Sequence, residues 1–509
     1  MKSINNNRKK FIEIFLMFVV GFIFYFFMGK EWISMQDDSI AYINAVYHEG
    51  VMPIYPIFLF LIRLMCGESI YLDVVVCIQS LLALVCTMVF VLYLQKQFEL
   101  NVWESLLLYV LCMLPFSIYL PEVGITHQIL TEGIAYALFY LYFLFLLKYI
   151  FSKSNIYLLS MVLMAGFLQL TRSQLIFLHI VNIVALVYVQ IKKDNNHSFL
   201  QKANKVILSF LAGCCVMLLM VVGVYKVYGY YLTKQVPVMY QIINGNLAEG
   251  RDVIGTTVEE TDVTGTTIEE TDSSEKKQEI QETQVQEQRT MSQMTTLLMI
   301  RGFYEADPED IELFHTPEEK EIFVRVFEAI DKEEYRYVYA RQDLYIWKDL
   351  IKDKIAYLAY QEINQYLAEN PEIQLDPIDM IIKLGMRTLI RHFDRFLYHT
   401  ARLMISSFIA SVFFQIQRVY LLCHFITLGL FLAAILGIVL VKRKDKESQE
   451  TVFVEVTVGY IVIMVVVTNI VYIGLQRYVV YAMGIFYCSL YLLVKSIWKM
   501  WKSSRYRVN

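Results

Sequence analysis

The chain has 509 residues, of which 57% are hydrophobic and 15% aromatic, while only 18% carry charge. Together with a mean hydropathy of +0.46, this balance excludes an ordinary soluble domain, in which about a quarter of the residues are charged, and points to a multi-pass membrane protein. Net charge is −4, basic residues cluster only beside apolar runs, and no nucleotide or flavin fingerprint occurs, so nucleic-acid binding is not expected.

A helix needs about 20 apolar residues to cross the hydrocarbon core. By that measure the chain predicts spans at 11–29, 70–94, 103–120, 127–149, 156–171, 173–191, 206–228, 420–441, 452–473 and 478–498. The expected fold is an all-α integral membrane protein of about ten transmembrane helices, with an extracytoplasmic helical cap and a disordered acidic insertion. The first run follows NNNRKK but lacks a small-residue cleavage site, which reads as an uncleaved anchor. Lysines and arginines gather in the connections at Arg8–Lys10, Lys96, Lys148 and Lys153, Lys192–Lys205, KRKDK at 442–446 and the C-terminal tail. The positive-inside rule then places both termini in the cytoplasm of a plasma-membrane protein. The eight cysteines lie almost entirely within apolar runs, without metal spacing, and read as small packing residues.

Three units follow in order: an N-terminal transmembrane module (1–228), an extracytoplasmic loop (229–402) and a C-terminal transmembrane module (403–509). Within the first, the outer loop 30–69 carries MQDDSIAY and then MPIYPIFLFLIRLM, too short and proline-broken to span, and predicted as a helix lying in the interface. Within the second, GTTVEETDVT and GTTIEETDSS repeat inside 249–290, where twelve acidic residues stand against four basic, a disordered arm by composition. Residues 300–402 turn helical. Thr316-Pro317-Glu318-Glu319 has the form of a capped helix start, a second pattern covers 341–369, and Asp376-Pro377 opens a third that runs back toward the membrane.

Ionisable groups at membrane depth are costly and usually have a task. Asp37 and Asp38 follow the first span, Glu122 and His127 occupy the next outer connection, and Glu132 lies in the first turns of the fourth span. Arg172 and Arg477 mark two later outer junctions. Each has a plainer reading: loop charges or a helix cap for the aspartates, interfacial anchoring for the arginines and His127, a structural ion pair for Glu132. Taken jointly they direct carboxylates and guanidiniums to one membrane face. Transfer from a phosphate-linked lipid carrier calls for this set, because a carboxylate must accept the acceptor's proton and cations must hold the departing phosphate. Adjacent aspartates would raise one partner's pKa or share a divalent cation such as Mg or Mn.

The ordered series DDSIAY, MPIYPIFLF, YLDVVVCIQSLLAL, LPFSIYLPEVGITHQILTEGIAYALF, LTRSQ and QRYVVYAMG resembles the GT-C class of multi-spanning glycosyltransferases, including bacterial relatives of protein mannosyltransferases and aminoarabinose transferases. The resemblance covers about 10–230 and 375–500. It implies a polyprenyl-phosphate-linked sugar donor, a glycan, lipid or protein acceptor, and inverting transfer on the extracytoplasmic face. It further implies Asp37 or Asp38 as base, Glu132, Glu122 and His127 as positioning groups, and Arg172 and Arg477 as phosphate contacts. Relatives more often carry Asp-Glu for the acidic pair, and proline commonly follows the arginine where Ser173 stands here. A polysaccharide polymerase or ligase and a lipid-linked-sugar transporter are the competing readings. Transporters usually show internal repeats and midplane charges, neither of which is apparent.

Overall fold

The computed structural model describes residues 2–27, 32–35, 37–43, 52–118, 124–193, 222–224, 226, 293–332, 352–413, 420–446, 448–471 and 479–505. All regular structure there is helical; the nearest thing to a sheet is one parallel bridge between Ser34 and Gln128. In chain order the helices are α1 (Lys2–Phe27), α2 (Asp37–Ile43), α3 (Ile54–Cys66), α4 (Tyr71–Phe98), α5 (Val102–Ile118), α6 (Thr131–Ser152), α7 (Asn155–Thr171) and α8 (Phe177–Lys193). After the long insertion come α9 (Gln293–Glu305), α10 (Pro317–Lys332), α11 (Lys352–Glu369), α12 (Pro377–Arg391), α13 (Phe393–Val412), α14 (Tyr420–Lys442), α15 (Gln449–Val471) and α16 (Met483–Arg505).

Among the described residues, seven segments are long and apolar enough to cross a membrane: Lys10–Phe27, Tyr71–Phe98, Thr131–Ser152, Ser173–Lys192, Leu421–Lys442, Gln449–Ile470 and Val480–Ser503. Many outward residues on them are large and apolar, such as Phe11, Phe15 and Phe27 on α1 and Leu421, Leu422 and Phe425 on α14. Such surfaces suit lipid, and the chain is a multi-pass helical membrane protein. Two of the predicted spans, 103–120 and 156–171, are the 17-residue helices α5 and α7, about 26 Å long at 1.5 Å per residue, short of a full crossing unaided. The expected span 206–228 and the acidic repeat at 249–290 lie outside the described residues.

The bundle core is aromatic. Phe139, Phe143, Tyr460 and Phe453 meet at ring distances between 5.1 and 6.3 Å, joining the N-terminal helices to α15. Its two ends are chemically distinct. At one end Gln97 donates to Gln449 at 2.6 Å, Lys495 pairs with Glu104 at 2.7 Å, and Gln95 meets Glu13. Lys96, Lys148, Lys153, Lys442 and KRKDK lie at or next to the helix ends on this side. At the other end the loops after α1 and α5 and the junction after α7 come together.

A second core belongs to α9–α12, where Ile322, Phe323, Val326, Ile355, Ile363 and Leu384 are buried. The helix starts follow the sequence. Glu319 N donates to Thr316 Oγ1 at 3.2 Å, and Ile378 N donates to the Asp376 carboxylate at 2.9 Å ahead of Pro377. The Glu319 carboxylate accepts from His315 N at 3.1 Å, one residue before the cap rather than from the cap itself. Residues 352–369 of the expected second helix are α11, its first part lying outside the described residues; the third is divided at His392 into α12 and α13. This helical cap meets the bundle where Arg301 Nη2 donates to Asn469 O at 2.8 Å, near the end of α15 remote from Gln449. The predicted boundary at 402/403 falls inside α13, a single helix that links cap and bundle.

Candidate functional site

Residues 124–130 hold a single 3-10 turn, Ile125–His127, and α6 begins only at Thr131, with Glu132 in its first turn. A carboxylate there is favoured by the unsatisfied N–H groups and dipole of the helix start. Arg172 ends α7 in extended backbone, φ −151°, and so leaves the helix direction to reach back to α6. Its Nη1 lies 2.5 Å from Glu132 Oε1, with both side chains buried. Thr131 Oγ1 donates to Glu132 Oε2 at 3.0 Å and accepts from Arg172 Nη1 at 3.4 Å, and Arg172 Nε donates to Gln174 Oε1 at 2.6 Å. Two opposite charges thus neutralise each other below the loop surface, which burial requires.

The first loop closes on this pair. Tyr42, on α2, hydrogen-bonds Thr131; burial first and the Glu132 charge second push its hydroxyl pKa well above the ordinary phenol value, with Asp38 adding and Arg172 opposing. Asp38, Tyr42, Thr131, Glu132 and Arg172 therefore share one electrostatic neighbourhood. Asp38 is exposed on α2, and Asp37 opens the same helix, its side chain lying outside the described residues. An exposed carboxylate at the mouth of a buried ion pair can take a proton from a hydroxyl arriving through water.

A second set of bonds holds the loop in place. Tyr55 Oη donates to Gln79 Oε1 at 2.9 Å, and Gln79 Nε2 donates to Thr126 O at 2.9 Å and Gln128 O at 3.1 Å. Tyr42 meets the Tyr55 ring edge-on at 5.3 Å. Gln79 can approach α6 this closely because position 133 is glycine: a Cβ there would stand 2.6 Å from the Gln79 amide. Ser34 N donates to His127 O at 3.0 Å and Ile129 N to Ser34 O at 3.1 Å, which fastens the first loop to the 124–130 segment.

His127, singled out as a positioning group, is buried against Trp32 with Nε2 2.8 Å from Tyr25 O. Its described contacts tie that segment to the end of α1. Glu122 and Arg477 lie outside the described residues, although Tyr481, shortly after Arg477, stacks at 4.1 Å on Tyr136, one turn past Glu132. No group of three or more His, Cys, Asp or Glu able to hold a metal occurs among the described residues. Tyr42, Gln79, Thr131 and Gln174 all fall inside the sequence motifs DDSIAY, YLDVVVCIQSLLAL, ILTEGIAYALF and LTRSQ, where none of the four is assigned a role. Polar residues of these types are common beside apolar runs, so only their convergence distinguishes them.

Another polar cluster was unforeseen. Arg301, buried in α9, donates to Thr400 Oγ1 at 3.0 Å; Glu305 pairs with His399; and Asp310, fully buried, meets His392 at 2.8 Å and Arg391 at 3.2 Å. These pairs join the cap to α13 and to the corner between α12 and α13.

No protein family, no curated protein and no solved structure matches this chain.

Proposed function

We propose that this chain is a membrane glycosyltransferase of the GT-C type, moving a sugar from a polyprenyl-phosphate-linked donor to a glycan, lipid or protein acceptor on the extracytoplasmic face. The observation that carries the reading is the buried Glu132–Arg172 pair joined through Thr131 and Tyr42 to the helix bearing Asp37 and Asp38. It lies at the end of the bundle away from the lysine-rich connections, which under the positive-inside rule is the outer end. Lipid-linked sugars are the activated donors accessible there.

In this reading one of the two aspartates removes the proton of the acceptor hydroxyl. The hydroxyl oxygen attacks the anomeric carbon, and the bond from that carbon to the phosphate oxygen breaks with both electrons leaving on the phosphate, giving inversion. Arg172 and Arg477 hold the growing phosphate charge. Glu132 keeps Arg172 ionised and oriented, a role its direct contact with the guanidinium favours over contact with the acceptor.

The test is transfer from polyprenyl-phosphate-linked sugars by protein reconstituted in vesicles. Asp37→Asn and Asp38→Asn are compared with the parent, and loss of the base is expected to slow transfer about 10²–10⁴-fold. If both variants transfer as fast as the parent, neither aspartate is the base.

A further inference from the structure

Helix α13 has two apolar faces. One, carrying Phe396, Thr400, Leu403 and Ser407, is buried against α9 and α15, with Ser407 Oγ donating to Asn469 Oδ1 at 3.2 Å. The other is open: Phe393, Leu397, Tyr398 (61% exposed) and Ile405 (58% exposed) project outward, and Ile390 (69% exposed) extends the patch at the corner with α12. At 3.6 residues per turn, those four side chains of α13 share an arc of about 140°, which also holds the exposed Asp394 in the first turn.

At the far end of the helix the same arc, at Phe408 and Val412, is covered by the bundle. Ala410 and Val412 are buried in the bundle core, and Val412 O accepts from Tyr487 Oη at 2.5 Å. The ring of Phe408 meets Phe431 of α14 at 6.1 Å. The last turn of α13 is thus packed inside the bundle, its Val412 carbonyl closed off by a tyrosine, beside a helix able to cross the membrane. Backbone at that depth must be satisfied by protein. Near the other end, charges border the patch: Arg391 pairs with Asp310, Arg395 with Asp307 at 2.8 Å, and Arg402 lies over the Tyr398 ring. Phe393, Tyr398 and the bordering arginines at one level, with Ile405 bare beyond them, form the pattern of a headgroup-to-acyl boundary.

We infer that the outward face of α13 is a lipid-contact surface: the helix dips from the cap into the leaflet, with Phe393 and Tyr398 at headgroup depth and Ile405 among acyl chains, and thereby anchors the cap to the membrane. This stands independently of the sugar-transfer reading. Photo-crosslinking tests it in the full-length protein, reconstituted in phosphatidylethanolamine–phosphatidylglycerol nanodiscs and vesicles with benzoylphenylalanine at Leu397, Ile405, Leu421 or Tyr357. Mass spectrometry is expected to find phospholipid adducts at Leu397 and Ile405 in yields matching Leu421, a position on a spanning helix, and none at Tyr357, an exposed cap residue. Adducts no more abundant than at Tyr357, a covalent dimer, or crosslinks to another segment of the chain would overturn the inference. Hydroxyl-radical footprinting of the unsubstituted protein serves as a second measurement. Phe393 and Leu397 should be protected in nanodiscs while Tyr357 reacts, and equal normalised reactivity would count against lipid contact.

Discussion

Glu132 and Arg172 meet 2.5 Å apart where the start of α6 faces the end of α7, each nine-tenths or more buried. Removing one member strands the other charge. Glu132→Gln or Arg172→Leu alone is therefore expected to cost about 3–5 kcal/mol, while the double substitution recovers most of it. Thermal unfolding of the purified proteins in one detergent checks this. A double variant as unstable as the worse single one would show that the two charges do not compensate each other. Under the proposed function, the double variant stays inactive even where its stability returns.

Gln79 makes three bonds among α3, α4 and the 124–130 segment. Gln79→Leu keeps the shape and leaves two carbonyls without their donor and the Tyr55 hydroxyl without its acceptor, at an expected cost of about 1–3 kcal/mol. Hydrogen exchange should quicken at residues 124–133 and remain unchanged in α10 and α11. A uniform change would argue against a local fastening role.

The packing of α9 on α12 depends on Gly302, where a Cβ would stand 1.9 Å from Gly385 O. Alanine is the better helix former by about 0.5–1 kcal/mol, yet this contact involves backbone that cannot rotate away. Gly302→Ala is expected to destabilise the cap by about 1–3 kcal/mol through overpacking. Limited proteolysis reports it as faster cleavage within 293–391. A cap as resistant as the parent's would mean that the two helices separate without cost.

Glu319 links α10 to α12. Burial pushes its pKa up, but Lys383, the His315 N–H and Arg387 outweigh that and hold it below the usual carboxylate value. A carboxylate with a depressed folded-state pKa contributes stability above its unfolded value, near pH 4.3, and loses it as pH falls through the folded value. Cap stability should therefore decline as pH drops below that unfolded value, and Glu319→Gln should flatten the decline. A parallel decline in the variant would assign the pH dependence to other groups.

The sequence by itself determined most of the elements, though not α9 or the division at His392. Seven of the ten predicted spans are helices long and apolar enough to cross a membrane among the described residues, and the basic clusters mark one end of them. Thr316-Pro317 and Asp376-Pro377 start helices where expected, since capping is decided within a few residues. The order of DDSIAY, the Gln79 helix, ITHQILTE and LTRSQ also listed pieces of the site. Only the tertiary structure decided partnership: Arg172 with Glu132, Tyr42 with Thr131, and His127 against Tyr25 and Trp32. Hydrophobic period and caps are local properties, whereas a side chain's partner depends on which distant helix ends the packed bundle brings together. A lone arginine after an apolar run reads alike whether it meets lipid phosphate or a buried glutamate.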